Sequence, residues 1–351
     1  MNPNLKLFPT LLLWLWLAAP GAGQAQADVV GTLAEREMRT LAADFPGRMA
    51  GTPQELAAAE HLAARLNGFG YAAAIKPFEV RYTYMPAGGV EPVEFEGASH
   101  NVVAELAGRS GHRIIVGAHY DTAVSRTPEH LEAGIGGPDL QGLDDNASGV
   151  GVLLELAARL AGSEPEHGIR FIAFGAEEVG LQGARHVVAS LSAEQRERVL
   201  LMINIDSIIT GDSLYAHAGP MTVAADPANA AARDRLLALA AELDIELKTN
   251  PGLNPDYPAG TGCCSDQVAF DEVGIPVVNI EATNWRLGNL DGYQQTEISA
   301  AFPAGESWHN SQIDRIDHLE AHLPENRLSE RPGRVLRLVL RLLEEQAGIA
   351  D

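Results

Sequence analysis

Nitrogen and oxygen donors recur along this chain where apolar runs stop. His119 and Asp121 follow RIIVGA, and Asp144, Asp145 and Asn146 open a helical stretch. Glu177 and Glu178 follow GIRFIAFGA, Asp206 ends VLLMINID, and His309 stands in SWHNSQID. Imidazole nitrogen and carboxylate oxygen are the donors that hold a first-row divalent metal, zinc above all. Taken singly, each has an ordinary reading: a surface H-x-D pair, an N-cap for the aspartates, a solvated Glu-Glu pair. Their shared place at strand ends singles them out, because ligands of open α/β sheets gather at the carboxyl ends of strands. So many carboxylates on one edge repel one another unless a cation joins them.

The elements that must position these groups are legible in the spacing. RIIVGA (113–118), GIRFIAFGA, VLLMINID and PVVNIEA (276–282) are short continuous apolar runs, as expected of strands covered on both faces. YAAAIKPFEVRYTY and HNVVAELAG also read as strands, and residues 84–98 and 123–141 as Gly/Pro-rich loops. Residues 29–43, 226–244 and 334–347 have helical spacing, and DDNASGVGVLLELAARLAG becomes a helix after its cap residues. FPGRMAGT is a turn, after which Thr52 caps PQELAAAEHLAARLNGFG, with proline at the first helical position. Strands alternating with helices predict an α/β fold: three layers, α/β/α, around a mostly parallel, mixed central sheet. No linker divides the chain, so residues 28–351 read as a single domain.

Composition narrows the function class. Apolar residues make up 46% of the chain, as in a globular protein. With 47 acidic against 25 basic residues the net charge is −22, which repels nucleic acid and anionic lipid. At the N-terminus MNPNLK carries one lysine, LFPTLLLWLWLAA is apolar, and Ala25-Gln26-Ala27 is a small-residue cleavage site. This is the three-part form of a secretory leader. It predicts cleavage after Ala27 and an exported, periplasmic or secreted protein; the run is short for a membrane span and no cysteine follows it to carry a lipid anchor. The chain's two cysteines are adjacent, Cys263-Cys264, and read either as a vicinal disulfide or as two free thiols in a tight loop.

HYDT, GLDDNASG, FGAEEVGLQGA, INID, CCSDQVAFDEVGIP and WHNSQID occur in order over roughly residues 40–320. Together they resemble the exported di-zinc aminopeptidases of bacterial leucyl-aminopeptidase type, a family that also includes the glutaminyl cyclases. The resemblance implies two zinc ions per chain bridged by Asp145, with His119 and Asp206 completing one site and Glu178 and His309 the other. It implies Asp121 as the carboxylate that orients His119, a cis peptide at Asp145-Asn146, and peptide or protein N-termini as substrates. Glu177, beside the metals but not a ligand, fits the general base that hydrolysis requires. FPGRMAGTPQE, NPGLNPDYPAGTGCC, EATNWRLGNLDGYQQ and AFPAGESWH resemble a periplasmic branch that removes N-terminal arginine. An arginine side chain calls for a carboxylate, and Asp256, Asp266, Asp271 and Glu281 all lie in or near those stretches.

Two departures and two alternatives complete the reading. Some relatives have tyrosine where this chain has Trp308, and indole donates one hydrogen bond but neither accepts nor ionises. That leaves the oxyanion role of the position open, with Tyr257 as a substitute from the neighbouring loop. A glutaminyl cyclase would use one zinc on the same fold, and a binding module would have lost catalysis, although all five ligand positions and the base are intact. Neighbours in a regular strand point to opposite faces. For Glu177 and Glu178 to serve one site, the strand must therefore end before Ala176, with both carboxylates on the loop beyond.

Overall fold

The computed structural model describes residues 30–255, 257–285, 297–305 and 307–349. The leader read at residues 1–27 and the candidate Asp256 lie outside them. Seven strands form one sheet: β1 Ala74–Tyr84, β2 Val93–Leu106, β3 Arg113–His119, β4 Gly168–Phe174, β5 Val199–Ile205, β6 Ser213–Ala218 and β7 Val277–Thr283. Their order across the sheet is β1-β2-β4-β3-β5-β7-β6. The inner four run parallel, and antiparallel strands close both edges.

The continuous apolar runs are explained by what covers them. Ile114, Val116 and Ala118 of β3 join one apolar cluster, whereas Ile115 joins another across the sheet. In β4, Ile169, Phe171 and Ala173 face the first cluster, and Ile172 and Phe174 the second. The first cluster is covered by helices Thr32–Asp44, Pro53–Gly68, Gly149–Leu160 and Arg327–Ala347; the second takes side chains from Gln182–Ser190 and Gln267–Asp271. Strands buried on both faces need no polar alternation. The result is the three-layer α/β/α arrangement expected, with four parallel strands releasing their carboxyl ends along one edge.

Several elements differ from the sequence reading. Val93 to Ala98, within the stretch read as a loop, already belong to β2 and pair with β1 from Tyr84 to Glu79. SLYAHA forms β6, which pairs with β7 from Ser213 to Ala218; its small and polar residues carry no strand signature outside that pairing. The last helix is Arg327–Ala347 and runs through Pro332, so it starts ahead of the 334–347 read from the pattern. Proline there lies in the second turn and forfeits one backbone hydrogen bond. Residues 227–230 form a 3-10 turn, and the helix proper is Ala231–Glu242.

Candidate metal centre

Two donor groups assemble at the carboxyl edge of the parallel strands. His119, Asp145 and Asp206 form one, and Asp145, Glu178 and His309 the other; within each group the ligand atoms lie within 4.8 Å of one another. Asp145 is common to both and presents a different oxygen to each. Its Oδ1 is 3.0 Å from His119 Nε2, and its Oδ2 is 3.1 Å from His309 Nε2. Asp206 Oδ1 lies 3.3 Å from His119 Nε2, and Glu178 Oε2 lies 3.4 Å from His309 Nε2. All five residues and Glu177 line one cavity of about 490 Å³.

The chain reaches this arrangement by leaving its regular elements at the right places. β4 stops at Phe174, and Ala176 takes φ 56°, which turns the backbone off the sheet. Glu177 and Glu178 then sit side by side on the turn, as the adjacent carboxylates required. Gly175 precedes them because a Cβ there would come within 2.5 Å of Glu55 Oε1 and His100 O. The Glu177 N–H donates to Asp121 Oδ1 at 3.0 Å and the Glu178 N–H to Oδ2 at 3.3 Å. The same Oδ1 is 3.5 Å from His119 Nδ1, beyond ordinary hydrogen-bond distance but within ion-pair reach of the ring. Asp121 thus ties β3's histidine to β4's carboxylate turn.

Asp145 is placed by its neighbours Asp144 and Asn146 and by two groups that sequence reasoning had not singled out, Asp314 and Arg48. The stretch Leu143–Ser148 is interrupted at Asp145 and Asn146, whose φ/ψ are not helical, and the peptide between them is cis, as the resemblance implied. Asp314 accepts the N–H groups of Asp144 at 2.7 Å and Asp145 at 3.0 Å. Asp144, read as a cap residue, instead accepts the N–H groups of Ile209 at 2.7 Å and Thr210 at 2.8 Å. The Asn146 amide donates to Ile205 O at 2.9 Å and accepts from Ser207 N at 3.2 Å, which fastens the segment of Asp145 to the end of β5. Fully buried Arg48 donates to the carbonyls of Tyr120 and Gly142, the backbone beside His119 and Asp145. Asp314 was in reach, since it closes the WHNSQID stretch. Arg48 was not: buried arginine is rare, and FPGRMAGT reads simply as a turn.

The electrostatics fit a cation-binding site. Burial pushes the Glu178 carboxyl up to about 8; His309 draws it down and Asp145 raises it further. Burial, reinforced by Glu178, Asp266 and Asp206 against the pull of His119, holds Glu177 well above the usual range. Burial opposes charge on His309, but Glu178 and Asp145 outweigh it and hold the imidazole well above its usual value. Asp145 stays below the usual carboxylate range: burial opposes this, and the contacts from His119 and His309 win. Glu178 Oε1 is buried without a hydrogen-bond partner among the described residues. Two imidazoles, three carboxylates and an orphaned buried oxygen make a donor set that zinc accepts.

The remaining sequence candidates fall at different places. Trp308 lines the cavity, but its indole N–H donates to Thr210 Oγ1 at 3.2 Å. Tyr257 lines an adjacent cavity and sets its hydroxyl 3.9 Å from Cys264 Sγ. Cys263 and Cys264 are joined as a disulfide. Asp271 accepts from Met221 N, Thr222 N and Thr222 Oγ1 at 2.6–2.9 Å, at the start of helix Pro220–Ala225. Asp266 is fully buried and is not among the cavity-lining residues, whereas Glu281 is.

The family model for Peptidase family M28 matches residues 101–328. The chain belongs to that family. This M28 peptidase is 42% identical over 323 residues to the alkaline phosphatase isozyme conversion protein of Escherichia coli (strain K12), covering 92% of each chain. It is 33% identical over 151 residues to an aminopeptidase of Pseudomonas aeruginosa (strain UCBPP-PA14), which is 42% of this chain and 26% of that one. Its fold is similar to that of BSAP, a zinc aminopeptidase from Bacillus subtilis, with a TM-score of 0.64 at 16% identity over 89% of this chain and 95% of that one. Glutaminyl cyclase from Porphyromonas gingivalis is similar too, at TM-score 0.63 and 22% identity over 91% and 100% of the two chains. At those identities the structural likenesses speak for the fold.

Proposed function

We propose that this M28 peptidase is an exported zinc aminopeptidase that binds two zinc ions and removes N-terminal residues, arginine by preference, from peptides or proteins. The observation that carries this reading is Asp145, whose two oxygens each face a different histidine. One zinc would be held by His119, Asp145 and Asp206, the other by Asp145, Glu178 and His309. Bound there, zinc would supply Lewis acidity, which brings the pKa of a water to about 7. Glu177 stands to take the proton of the attacking water and to deliver it to the leaving amine. Its half-buried, cavity-lining position and raised pKa suit a group that must both accept and release a proton. Asp121 orients His119 and holds the turn that carries Glu177.

Residues 28–351 act as one domain, a reading supported by the single seven-stranded sheet. Residues 1–27 act as its export leader, and no helix of the described residues is long and apolar enough to cross a membrane. The name of the Escherichia coli relative points to an alkaline phosphatase as its target, and a folded protein's N-terminus is a substrate of the same kind here. The glutaminyl cyclase neighbours keep a single-zinc cyclase as the second reading. Metal analysis alongside a panel of aminoacyl reporters separates the two. Two zinc ions per active chain and release of amino acids are expected; one zinc with cyclisation of N-terminal glutamine would replace the aminopeptidase reading with the cyclase.

A further inference from the structure

Among the described residues lining the metal-centre cavity, Arg126 is the one arginine or lysine. Its guanidinium donates to Glu178 O, on the turn that carries Glu177. The backbone that presents it is tied down on both sides. Ser125 O accepts from Met85 N at 2.7 Å, and Ser125 Oγ donates to Ile135 O at 2.7 Å. The Arg126 N–H donates to His130 Nδ1 at 3.3 Å, within the helix Pro128–Ala133 that Thr127 caps. Gly136 N donates to His309 O at 2.7 Å, so the same loop leads back to a metal-ligand candidate. The exposed side chain therefore starts from a fixed point at the cavity wall.

Several carboxylates line the same cavity, yet among the described residues Arg126 has no carboxylate partner. One N–H of its donor fork is spent on a backbone carbonyl, and the rest of the fork is not spent on the protein. Asp145, Asp206 and Glu178 answer to the metal, and Glu177 to the proton, so the guanidinium keeps its charge for what enters the cavity. Its position says which part of a substrate that is. Glu177 hands a proton to the leaving amine, so the chain beyond the scissile bond begins beside the Glu177-Glu178 turn, where Arg126 stands. An N-terminal ammonium is repelled from that wall and a carboxylate is drawn to it. The planar fork of arginine also matches the two oxygens of a carboxylate.

We infer that Arg126 binds a carboxylate on the leaving part of the substrate, either the C-terminal carboxylate of a dipeptide or an acidic side chain directly after the scissile bond. The inference rests on the aminopeptidase reading and deepens it. Its test uses the zinc-loaded protein and four substrates that share their first residue: arginyl-glycine, its amide, and the amides of arginyl-glutamate and arginyl-glutamine. Released arginine is quantified by chromatography. The ratio of arginyl-glycine to its amide reads a terminal carboxylate, and the ratio of the glutamate to the glutamine substrate reads a side chain. In the wild type at least one ratio is expected to reach about threefold or more in kcat/KM, carried mainly by KM, as for a charge-assisted pair that water still reaches. The raised ratio identifies the source of the carboxylate. Arg126→Gln should bring it to within about twofold of one, and Arg126→Lys, which keeps the charge but loses the fork, should leave it between the two. Each ratio is internal to one protein, so a general loss of activity cancels from it. If Arg126 serves only to hold the turn through Glu178 O, its loss slows all four substrates alike and leaves the ratios unmoved, which overturns the assignment. Wild-type ratios both below about threefold, with the amides still cleaved, overturn it too. No arginine released from any of the four overturns the aminopeptidase reading and the assignment with it.

Discussion

Replacing Asp121 by asparagine tests how the centre is held together. Asp121 is fully buried, and its two oxygens serve three groups: the N–H of Glu177, the N–H of Glu178 and the ring of His119. Asparagine keeps one oxygen. Wherever its amide nitrogen turns, it meets a backbone N–H, donor against donor, and a buried donor without a partner costs about 1–3 kcal/mol. At about 2 °C per kcal/mol for a chain of this size, the metal-free thermal midpoint should fall by a few degrees. Loss of the orienting charge behind His119 should weaken zinc binding by about 10- to 100-fold, with a comparable loss of turnover at limiting zinc. Competition with a fluorescent chelator reads the affinity, and a thermal melt in zinc-free buffer reads the stability. A melt that falls while zinc affinity stays within threefold would confine Asp121 to holding the turn. If neither quantity moves, the tie between β3 and β4 drawn here is wrong.

Glu177→Gln should lower kcat by about 10²–10⁴-fold and leave zinc content near wild type, since the base is not a ligand; activity within tenfold of wild type would assign the proton transfer elsewhere. Zinc affinity should rise with pH. Glu178, pushed up to about 8, must give up its proton before it can ligate, so its site should lose about tenfold in affinity per pH unit below 8. In the metal-free protein the sign reverses. A carboxyl whose folded pKa is raised contributes stability that is present at low pH and lost as pH climbs through about 8. Chelator titrations and melts between pH 6 and 9 read both trends, and a zinc affinity flat from pH 6 to 8 would contradict the raised carboxyl.

Much of the architecture was written in the chain. Strands covered on both faces need no polar alternation, so the four parallel strands appear as largely apolar runs, with Arg170, Asn204, Asn279 and Glu281 as their polar exceptions, and most of the donors stand where those runs stop. The adjacency of Glu177 and Glu178 forced the end of β4 before Ala176, because strand neighbours point to opposite faces. That inference needed only local geometry, and the positive φ at Ala176 is its structural counterpart.

What the sequence could not decide were relations across the fold. Asp144 and Asp145 are equivalent as text, yet one is spent on the N–H groups of Ile209 and Thr210 and the other stands between two histidines. Asp314 grips their backbone from 170 residues away. Arg48 stitches both segments from a turn that carries no mark of it. Strand β6 exists by virtue of its partner β7. Among the carboxylates proposed for a cationic side chain, spacing made no choice; in the fold Glu281 lines the cavity of the metal centre, while Asp271 holds a helix start. Residue type and period determine which groups reach the sheet edge. Which oxygen faces which nitrogen is set by long-range packing, and that information belongs to the folded chain alone.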